Sequence, residues 1–171
     1  MPDVQIRRNS EAVVDLEPND VAELTEQATR ATFYTEGLTT EQIGANARIP
    51  QVSGEAFFDA ASAEHQHLAA AFDAGRLTGF MIATRHARGD LELDWLMIHP
   101  GRHGSGLAAS LMIEGLEWLG ADEPTWLTVL RHNERAIRFY RKVGFEIDRA
   151  AQLNRPVPTW IMRRKAAAVT L

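Results

Sequence analysis

The sequence predicts a mixed α/β domain, of the α+β type, in which helices flank a mostly antiparallel sheet. Apolar, β-prone segments alternate with turn sequences at 73–76 and 88–90, a spacing that is typical of β-hairpins. Helical periodicity is present at 18–34, 104–119 and 133–144. The chain has 171 residues, of which 45% are hydrophobic. This length is sufficient for one domain with a buried core and too short for two ordinary domains.

We therefore expect one domain over residues 1–171, with an N-terminal half at about 10–88 and a C-terminal core with a final hairpin at 89–165. No internal repeat or low-complexity segment divides the sequence. The last six residues, 166–171, are expected to fray.

In the N-terminal half, the β-prone segment 12–16 predicts a first strand. Pro18, with acidic residues close behind it, predicts the start of a helix. A short second helix is expected from Thr39, and it should end before Pro50 because a proline disfavours helical backbone at the residue ahead of it. Small residues and poor periodicity at 51–64 predict an irregular or partly helical segment.

The remaining strands are predicted from apolar runs bounded by turn residues, and they lie at 67–72, 77–85, 91–98, 125–130, 145–153 and 159–164. Gly120 and Gly144 are expected to end the two helices of the C-terminal half. Asn133 is a good N-cap for the second of these helices.

Composition excludes several classes of function. The net charge of −5 argues against a nucleic-acid partner. The absence of cysteine excludes disulfides, thiolate catalysis and Cys-ligated zinc, and it fits a reducing cytoplasm. The N-terminus lacks an apolar signal core and no run approaches transmembrane length, so we expect a cytoplasmic protein with no membrane partner.

The six histidines do not predict a metal site. His65 and His67 lie two apart, and the other four are scattered along the chain. Because no third ligand at a suitable spacing accompanies any pair, we expect no bound metal.

A glycine-rich turn joins the predicted strand 91–98 to the helix that follows it. Pro100 interrupts the strand, and the turn then runs over residues 102–108. Free backbone N–H groups and the helix dipole at such a turn favour a bound phosphate. The nucleotide-hydrolysing P-loop pattern is absent, and Ala109 replaces the third glycine of the dinucleotide-binding pattern.

A second motif, Asn-x-x-Ala-x-x-Phe-Tyr-x-x-x-Gly-Phe, occupies residues 133–145, after one predicted helix and one predicted strand. The glycine turn and this motif, in this order, resemble the acetyl-CoA-binding core of the GNAT superfamily of N-acetyltransferases. The resemblance covers roughly the C-terminal half of the chain. It departs at the turn position where the family has Arg or Gln, because His103 stands there, with Arg102 just before it.

The resemblance implies an acyl-CoA N-acyltransferase fold, in which the strands at 91–98 and 125–130 are parallel and splay apart around the pantetheine arm. Acetyl-CoA is then the co-substrate. Backbone N–H groups near the end of the first strand would polarise the thioester carbonyl, as an oxyanion hole does. The cofactor-binding residues implied are Met97, Ile98, Arg102, His103, Gly104, Ser105, Gly106, Leu107, Ala108 and Asn133. Some cations of the basic stretch 131–142 could also meet the ribose phosphate.

Two catalytic residues follow from the same resemblance. Tyr140 matches the tyrosine that often protonates the leaving thiolate, and core packing is its alternative role. Glu92 lies where many members carry a base for the amine, and Asp94, two residues on, shares its strand face. Solvent-facing carboxylates on a half-exposed sheet are the alternative reading of this pair.

We therefore expect an acetyl-CoA-dependent N-acetyltransferase that acts on a primary amine of a small molecule or of a protein. The transfer should be direct, since the chain has no cysteine for a thioester intermediate. The alternative function is a non-catalytic acyl-CoA-binding or regulatory module, and a homodimer is left open as the assembly.

Overall fold

The computed structural model describes residues 3–165, which form one sheet with helices on both faces. The strands are β1 (Gln5–Arg8), β2 (Gln66–Asp73), β3 (Arg76–Arg85), β4 (Leu91–Ile98), β5 (Thr125–Leu130), β6 (Phe145–Ile147) and β7 (Thr159–Arg164). The α-helices are α1 (Pro18–Phe33), α2 (Thr40–Ala60), α3 (Leu107–Leu119) and α4 (Glu134–Lys142). The tail predicted to fray, 166–171, lies outside the described residues.

The seven strands follow the order β1-β2-β3-β4-β5-β7-β6. Every neighbouring pair is antiparallel except β4 and β5, which are parallel. Within the described chain, β4 and β5 pair at one register position, Glu92 with Trp126, and separate beyond it. The predicted fold class, a mixed and mostly antiparallel sheet with splayed parallel strands, is confirmed.

The sheet separates two apolar cores. Phe57 of α2 and Phe80 of β3 belong to the core under α1 and α2. Met112 and Leu116 of α3 pack into the core on the opposite face. The side chains that close the two cores are fully or almost fully buried, so each helical layer is fixed against the sheet.

The prediction that the second helix ends before Pro50 is wrong, and so is the irregular segment expected at 51–64. Helix α2 continues through Pro50 to Ala60. A Cβ at Gly54 would lie 2.8 Å from the Pro18 carbonyl oxygen, so the backbones of α1 and α2 approach closely there. The Ser53 hydroxyl lies 2.7 Å from the Pro50 carbonyl oxygen and 2.7 Å from the Thr25 hydroxyl. Packing against α1 therefore outweighs the weak local helix signal.

The first strand was predicted at 12–16 and lies instead at Gln5–Arg8. Asn9 has φ +49°, which turns the chain out of the sheet, and its side-chain oxygen accepts a hydrogen bond from the Leu68 N–H. Asp15 also has positive φ, and Val14 is 54% exposed. The apolar residues at 12–16 therefore belong to a turn over the core edge.

The strand predicted at 145–153 is too long. β6 has three residues, and an irregular connection follows it to β7. The Asp148 carboxylate accepts hydrogen bonds from the N–H groups of Ala150 and Ala151. This local bonding turns the backbone away from the sheet, as Asp side chains commonly do.

Candidate active site

A cleft of about 1030 Å³ opens where β4 and β5 separate. Its walls come from the end of β4, the glycine turn, the first turns of α4 and the inner sides of α1 and α2. Ten of the residues predicted for the site line it, namely Glu92, Met97, Ile98, Arg102, His103, Gly104, Gly106, Ala108, Asn133 and Tyr140. The fold thus brings together residues that are up to 48 positions apart in the sequence.

Two predicted turn residues are not among those lining the cleft. Leu107, the first residue of α3, is buried among the core residues. The Ser105 hydroxyl donates to the Arg102 carbonyl at 2.7 Å and accepts from the Leu107 N–H at 3.3 Å. These two residues hold the shape of the turn from behind.

The two glycines of the turn have backbone conformations that L side chains rarely adopt. Gly104 has φ +78° and Gly106 has φ +85°, and Gly106 is the N-cap of α3. A Cβ placed on either would meet nothing within 4 Å, so both face open space in the cleft. The turn needs glycine for its conformation and leaves room for a ligand close to its backbone.

Four backbone N–H groups of the turn donate to no acceptor within residues 3–165. They belong to Gly104, Gly106, Ala108 and Ala109, all of which line the cleft. The N–H groups between them, by contrast, are used inside the turn. Free donors at a helix N-terminus, where the macrodipole is positive, form a binding site for an anion such as a phosphate.

His103 is held by a cation from across the cleft. Nη1 of Arg135, on α4, lies 2.5 Å from Nδ1 of His103. A guanidinium can only donate, so Nδ1 is the acceptor. Burial, followed by the Arg135 charge, lowers the pKa of His103. The turn therefore carries a neutral imidazole with a fixed guanidinium beside it.

Arg102 has a different partner. Its guanidinium is ion-paired with Asp73, at the end of β2. The side chain is thereby directed toward the β2–β3 turn. The sequence assigned no individual roles to the basic residues of 131–142. Among them, the structure places Arg135 against the glycine turn, a contact that residue spacing did not predict.

Tyr140 lies on α4 with its ring between two phenylalanines. The ring centroids of Phe139 and Phe145 are 5.6 Å and 6.2 Å from that of Tyr140. Burial raises the pKa of Tyr140 to about 12. Its hydroxyl makes no hydrogen bond within the described chain, and the residue lines the cleft. Tyr140 is therefore a neutral phenol with a proton available to a group in the cleft.

Asn133 starts α4 beside the cleft. Its side-chain oxygen accepts a hydrogen bond from the Ala136 N–H at 3.2 Å. The predicted cap is thus present, and the residue also lines the cleft.

Glu92 is a buried carboxylate at the point where β4 and β5 meet. It is 8% exposed, and its Oε2 lies 2.7 Å from Nε2 of His86. Burial is the main cause that raises the pKa of Glu92, and the neighbouring Asp94 charge adds to it. The His86 hydrogen bond opposes this rise. A carboxylate with a raised pKa in a cleft is suited to accept a proton.

Asp94 lies in a β-bulge that the sequence did not predict. Ile82 pairs with Trp95 while Ala83 pairs with Leu93, so Asp94 is the extra residue on β4. Its carboxylate accepts a hydrogen bond from the Thr84 hydroxyl at 3.4 Å, and burial raises its pKa. Glu92 and Asp94 both line the cleft. Because the bulge adds one residue to β4, the side chains that follow Asp94 point to the opposite faces from those that regular alternation would give.

The described part of the chain offers neither a cluster of metal ligands nor a membrane-spanning helix. Residues 3–165 contain no group of three or more His, Asp or Glu side chains placed to hold a metal ion. Among the helices at 18–33, 40–60, 107–119 and 134–142, none is both long and apolar enough to cross a bilayer.

Residues 27–145 match the model of the family described as "Acetyltransferase (GNAT) family". An uncharacterized N-acetyltransferase of Mycobacterium tuberculosis is 44% identical over 78 residues, which are 43% of this chain and 49% of that protein. The chain thus spans about half the length of the curated relatives it matches.

Several solved structures resemble the whole fold. The PaiA N-acetyltransferase of Thermoplasma acidophilum, solved in complex with coenzyme A, is 21% identical with a TM-score of 0.73. The alignment covers 95% of this chain and 99% of that one. A GNAT-family acetyltransferase of Streptococcus pneumoniae is 26% identical with a TM-score of 0.59, over 96% of this chain and 100% of that one.

The family match covers more than half of the sequence, and the observed fold agrees with it. It also confirms the resemblance read from the glycine turn and the motif at 133–145, and it agrees with the expected class of acyltransferase. This chain belongs to the GNAT family of acetyltransferases.

Proposed function

We propose that the protein transfers an acetyl group from acetyl-CoA to a primary amine, which attacks the thioester directly. The observation that carries this proposal is the shared cleft, which is lined by a set of free N–H donors, a neutral phenol and a buried carboxylate. The Thermoplasma relative solved with coenzyme A supports the choice of cofactor.

The turn fits the pyrophosphate of coenzyme A. The free N–H groups of Gly104, Gly106, Ala108 and Ala109 would donate to phosphate oxygens, and the Arg135 guanidinium adds a positive charge nearby. Beyond Glu92, the edge of β4 that faces β5 has no strand partner within residues 3–165. Along that edge the backbone N–H of Ile98 is available to the pantetheine arm and the thioester carbonyl, whereas the backbone groups of Met97 pair with Phe80 of β3.

Bound acetyl-CoA supplies the activated acetyl group. Glu92 takes a proton from the acceptor amine, directly or through a water, so that the nitrogen lone pair becomes nucleophilic. Tyr140 donates its phenolic proton to the sulfur that leaves. The acetyl group passes directly from sulfur to nitrogen, since the sequence has no cysteine that could hold it as a thioester.

The acceptor end of the cleft is lined by the carboxylates of β4 and by residues of the first two helices, including Thr29, Phe33 and Ile49. Two carboxylates in this wall favour a cationic group over an anionic one. A small-molecule amine and a protein amine both meet this requirement. We infer a cytoplasmic location, which the cysteine-free sequence supports.

A panel of acceptors tests the function. Acetyl-CoA would be incubated with the protein and with single small amines, diamines, and peptides that carry a free N-terminus or a lysine. We expect thiol release that depends on one class of amine, together with the N-acetylated product by mass spectrometry. If acetyl-CoA binds but no amine increases thiol release, the chain is a binding or regulatory module instead.

A further inference from the structure

Glu92 has a histidine partner that lies behind the cleft. Nε2 of His86 is 2.7 Å from Oε2 of Glu92. The His86 side chain is 40% exposed and is not among the residues lining the cleft, whereas the Glu92 side chain is 10% exposed. The imidazole therefore reaches the buried carboxylate from the solvent side.

The His86 ring is held in place by the ends of two strands. The indole of Trp126 stacks on it, with ring centroids 6.2 Å apart and an interplanar angle of 20°. Trp126 donates its Nε1–H to the Asp90 carboxylate at 2.8 Å, and the His86 N–H donates to the Asp90 carbonyl at 2.8 Å. Since Trp126 is also the β5 partner of Glu92, ring and carboxylate share one support.

The charges around Glu92 come from three directions. Asp94 on β4 raises the pKa of Glu92, after burial itself. His86 from the β3–β4 turn and Arg155 from the β6–β7 connection lower it. Thr84, opposite Glu92 on β3, is uncharged and donates to Asp94.

We propose that His86 is a positioning residue for proton removal, which holds the Glu92 carboxylate toward the acceptor and keeps it charged. This inference rests on the proposed function. In the step concerned, an acceptor N–H bond breaks, its electron pair stays on nitrogen, and the proton forms an O–H bond on Glu92. Glu92 then returns the proton to water.

The pH dependence of kcat/KM tests the role of His86. In His86→Phe, the ring can still stack on Trp126, but the hydrogen bond to Glu92 and the electrostatic effect of the imidazole on that carboxylate are lost. We expect the acidic limb of the profile to move to higher pH by about one unit or more, the size of effect that one close opposite charge has on a carboxyl pKa. His86→Gln keeps a hydrogen-bond donor but not the imidazole, so the acidic limb of its profile should lie between those of His86→Phe and the wild type.

A second His–Glu pair of similar geometry provides the control. His67 lies 2.9 Å from Glu114 and stacks on Trp118, at a surface outside the cleft. His67→Gln should leave the acidic limb where it is. In a Glu92→Gln background, His86→Phe should cause no further movement of the limb, because the group it acts on is gone.

An NMR titration of the Glu92 carboxyl carbon in wild type and His86→Phe provides a readout without turnover. We expect the pKa of Glu92 to rise in the variant. An unchanged pKa, or a kcat/KM that falls by the same factor at every pH, would overturn the role of His86. Failure of the proposed function would look different, because the wild type would then acetylate no amine while the titration still reported on the pair.

Discussion

At the scale of single residues, the Tyr140 hydroxyl is the group whose removal separates chemistry from packing. Tyr140→Phe keeps the ring between Phe139 and Phe145. We expect kcat to fall by about 10²–10⁴-fold, the usual contribution of a general acid, while the affinity for acetyl-CoA is unchanged. Steady-state kinetics and calorimetric titration measure the two quantities. Tyr34→Phe, at the exposed second tyrosine, is the matched control, and equal turnover in both variants would assign Tyr140 to packing alone.

Glu92→Gln should change both the rate and its dependence on pH. An amine is mostly protonated at neutral pH, so loss of the base is felt most at low pH and less as the free amine becomes more abundant. We expect kcat/KM to recover partly as pH rises, and Asp94→Asn to have a smaller effect. A wild-type pH–rate profile in Glu92→Gln would show that another group or solvent removes the proton.

The same substitution should stabilise the fold at neutral pH. Since burial raises the pKa of Glu92 above its ordinary value of 4.5, the folded state binds this proton more tightly than the unfolded chain. The stability contributed by Glu92 is therefore complete below about pH 4.5 and is lost as pH rises through the raised value. We expect Glu92→Gln to have the higher melting temperature at pH 7, with the difference disappearing in acid. A lower melting temperature at pH 7 would mean that the bond to His86 outweighs burial.

The sequence identified residues that belong to motifs and missed those that depend on the fold. Tyr140 and the glycine turn were readable because their spacing is local. The Arg135–His103 contact joins residues 32 positions apart on different elements, and no local pattern encodes it. His86 is six residues from Glu92, but their contact depends on a tight turn with Arg88 and Gly89 at positive φ.

At the scale of elements, α2 shows how packing decides where a helix ends. Gly54 faces the Pro18 carbonyl oxygen, whereas Gly44, in the same helix, has nothing within 4 Å of a Cβ. We expect Gly54→Ala to lower the free energy of unfolding by about 1–3 kcal/mol, because backbone would have to move. Gly44→Ala should raise it by about 0.5–1 kcal/mol through helix propensity. Urea denaturation measures both, and equal effects would contradict the close approach of α1 and α2.

Most elements could be predicted because their periodicity and their boundary residues agree. This holds for α1, α3, α4, the β2–β3 hairpin, β4 and β5. The start of α2 could also be predicted, but its continuation to Ala60 could not, since Pro50 is a local stop signal that contacts with α1 overcome. The first strand was misplaced for a related reason: apolar residues at 12–16 cover the core edge without joining the sheet.

At the scale of the whole molecule, binding of acetyl-CoA should be coupled to stability. At a ligand concentration about a hundredfold above Kd, linkage adds about 2.7 kcal/mol. For a chain of this size, that corresponds to a rise in melting temperature of about 5–10 °C. Thermal denaturation with and without millimolar acetyl-CoA measures the shift, and an unchanged melting temperature would contradict the proposed cofactor.

Gly106→Asp should abolish this shift, because a carboxylate at the turn repels phosphate and occupies its space. The matched control is Gly37→Asp, since Gly37 has a similar φ of +87°, has nothing within 4 Å of a Cβ and does not line the cleft. Both variants place a side chain at a similar positive φ. A ligand-induced shift that survives in Gly106→Asp would mean that acetyl-CoA binds elsewhere.

The single pairing of Glu92 with Trp126 divides the sheet into two half-sheets, β1–β4 and β5–β7, that share one corner. A change of angle about a single point of contact leaves that point in place and moves the far ends most. A change in the angle between the half-sheets would likewise displace the Ile98 end of β4 most and Glu92 least. The width of the cleft at the Ile98 end would follow this angle, whereas the Glu92 carboxylate, next to the pairing, would stay in place.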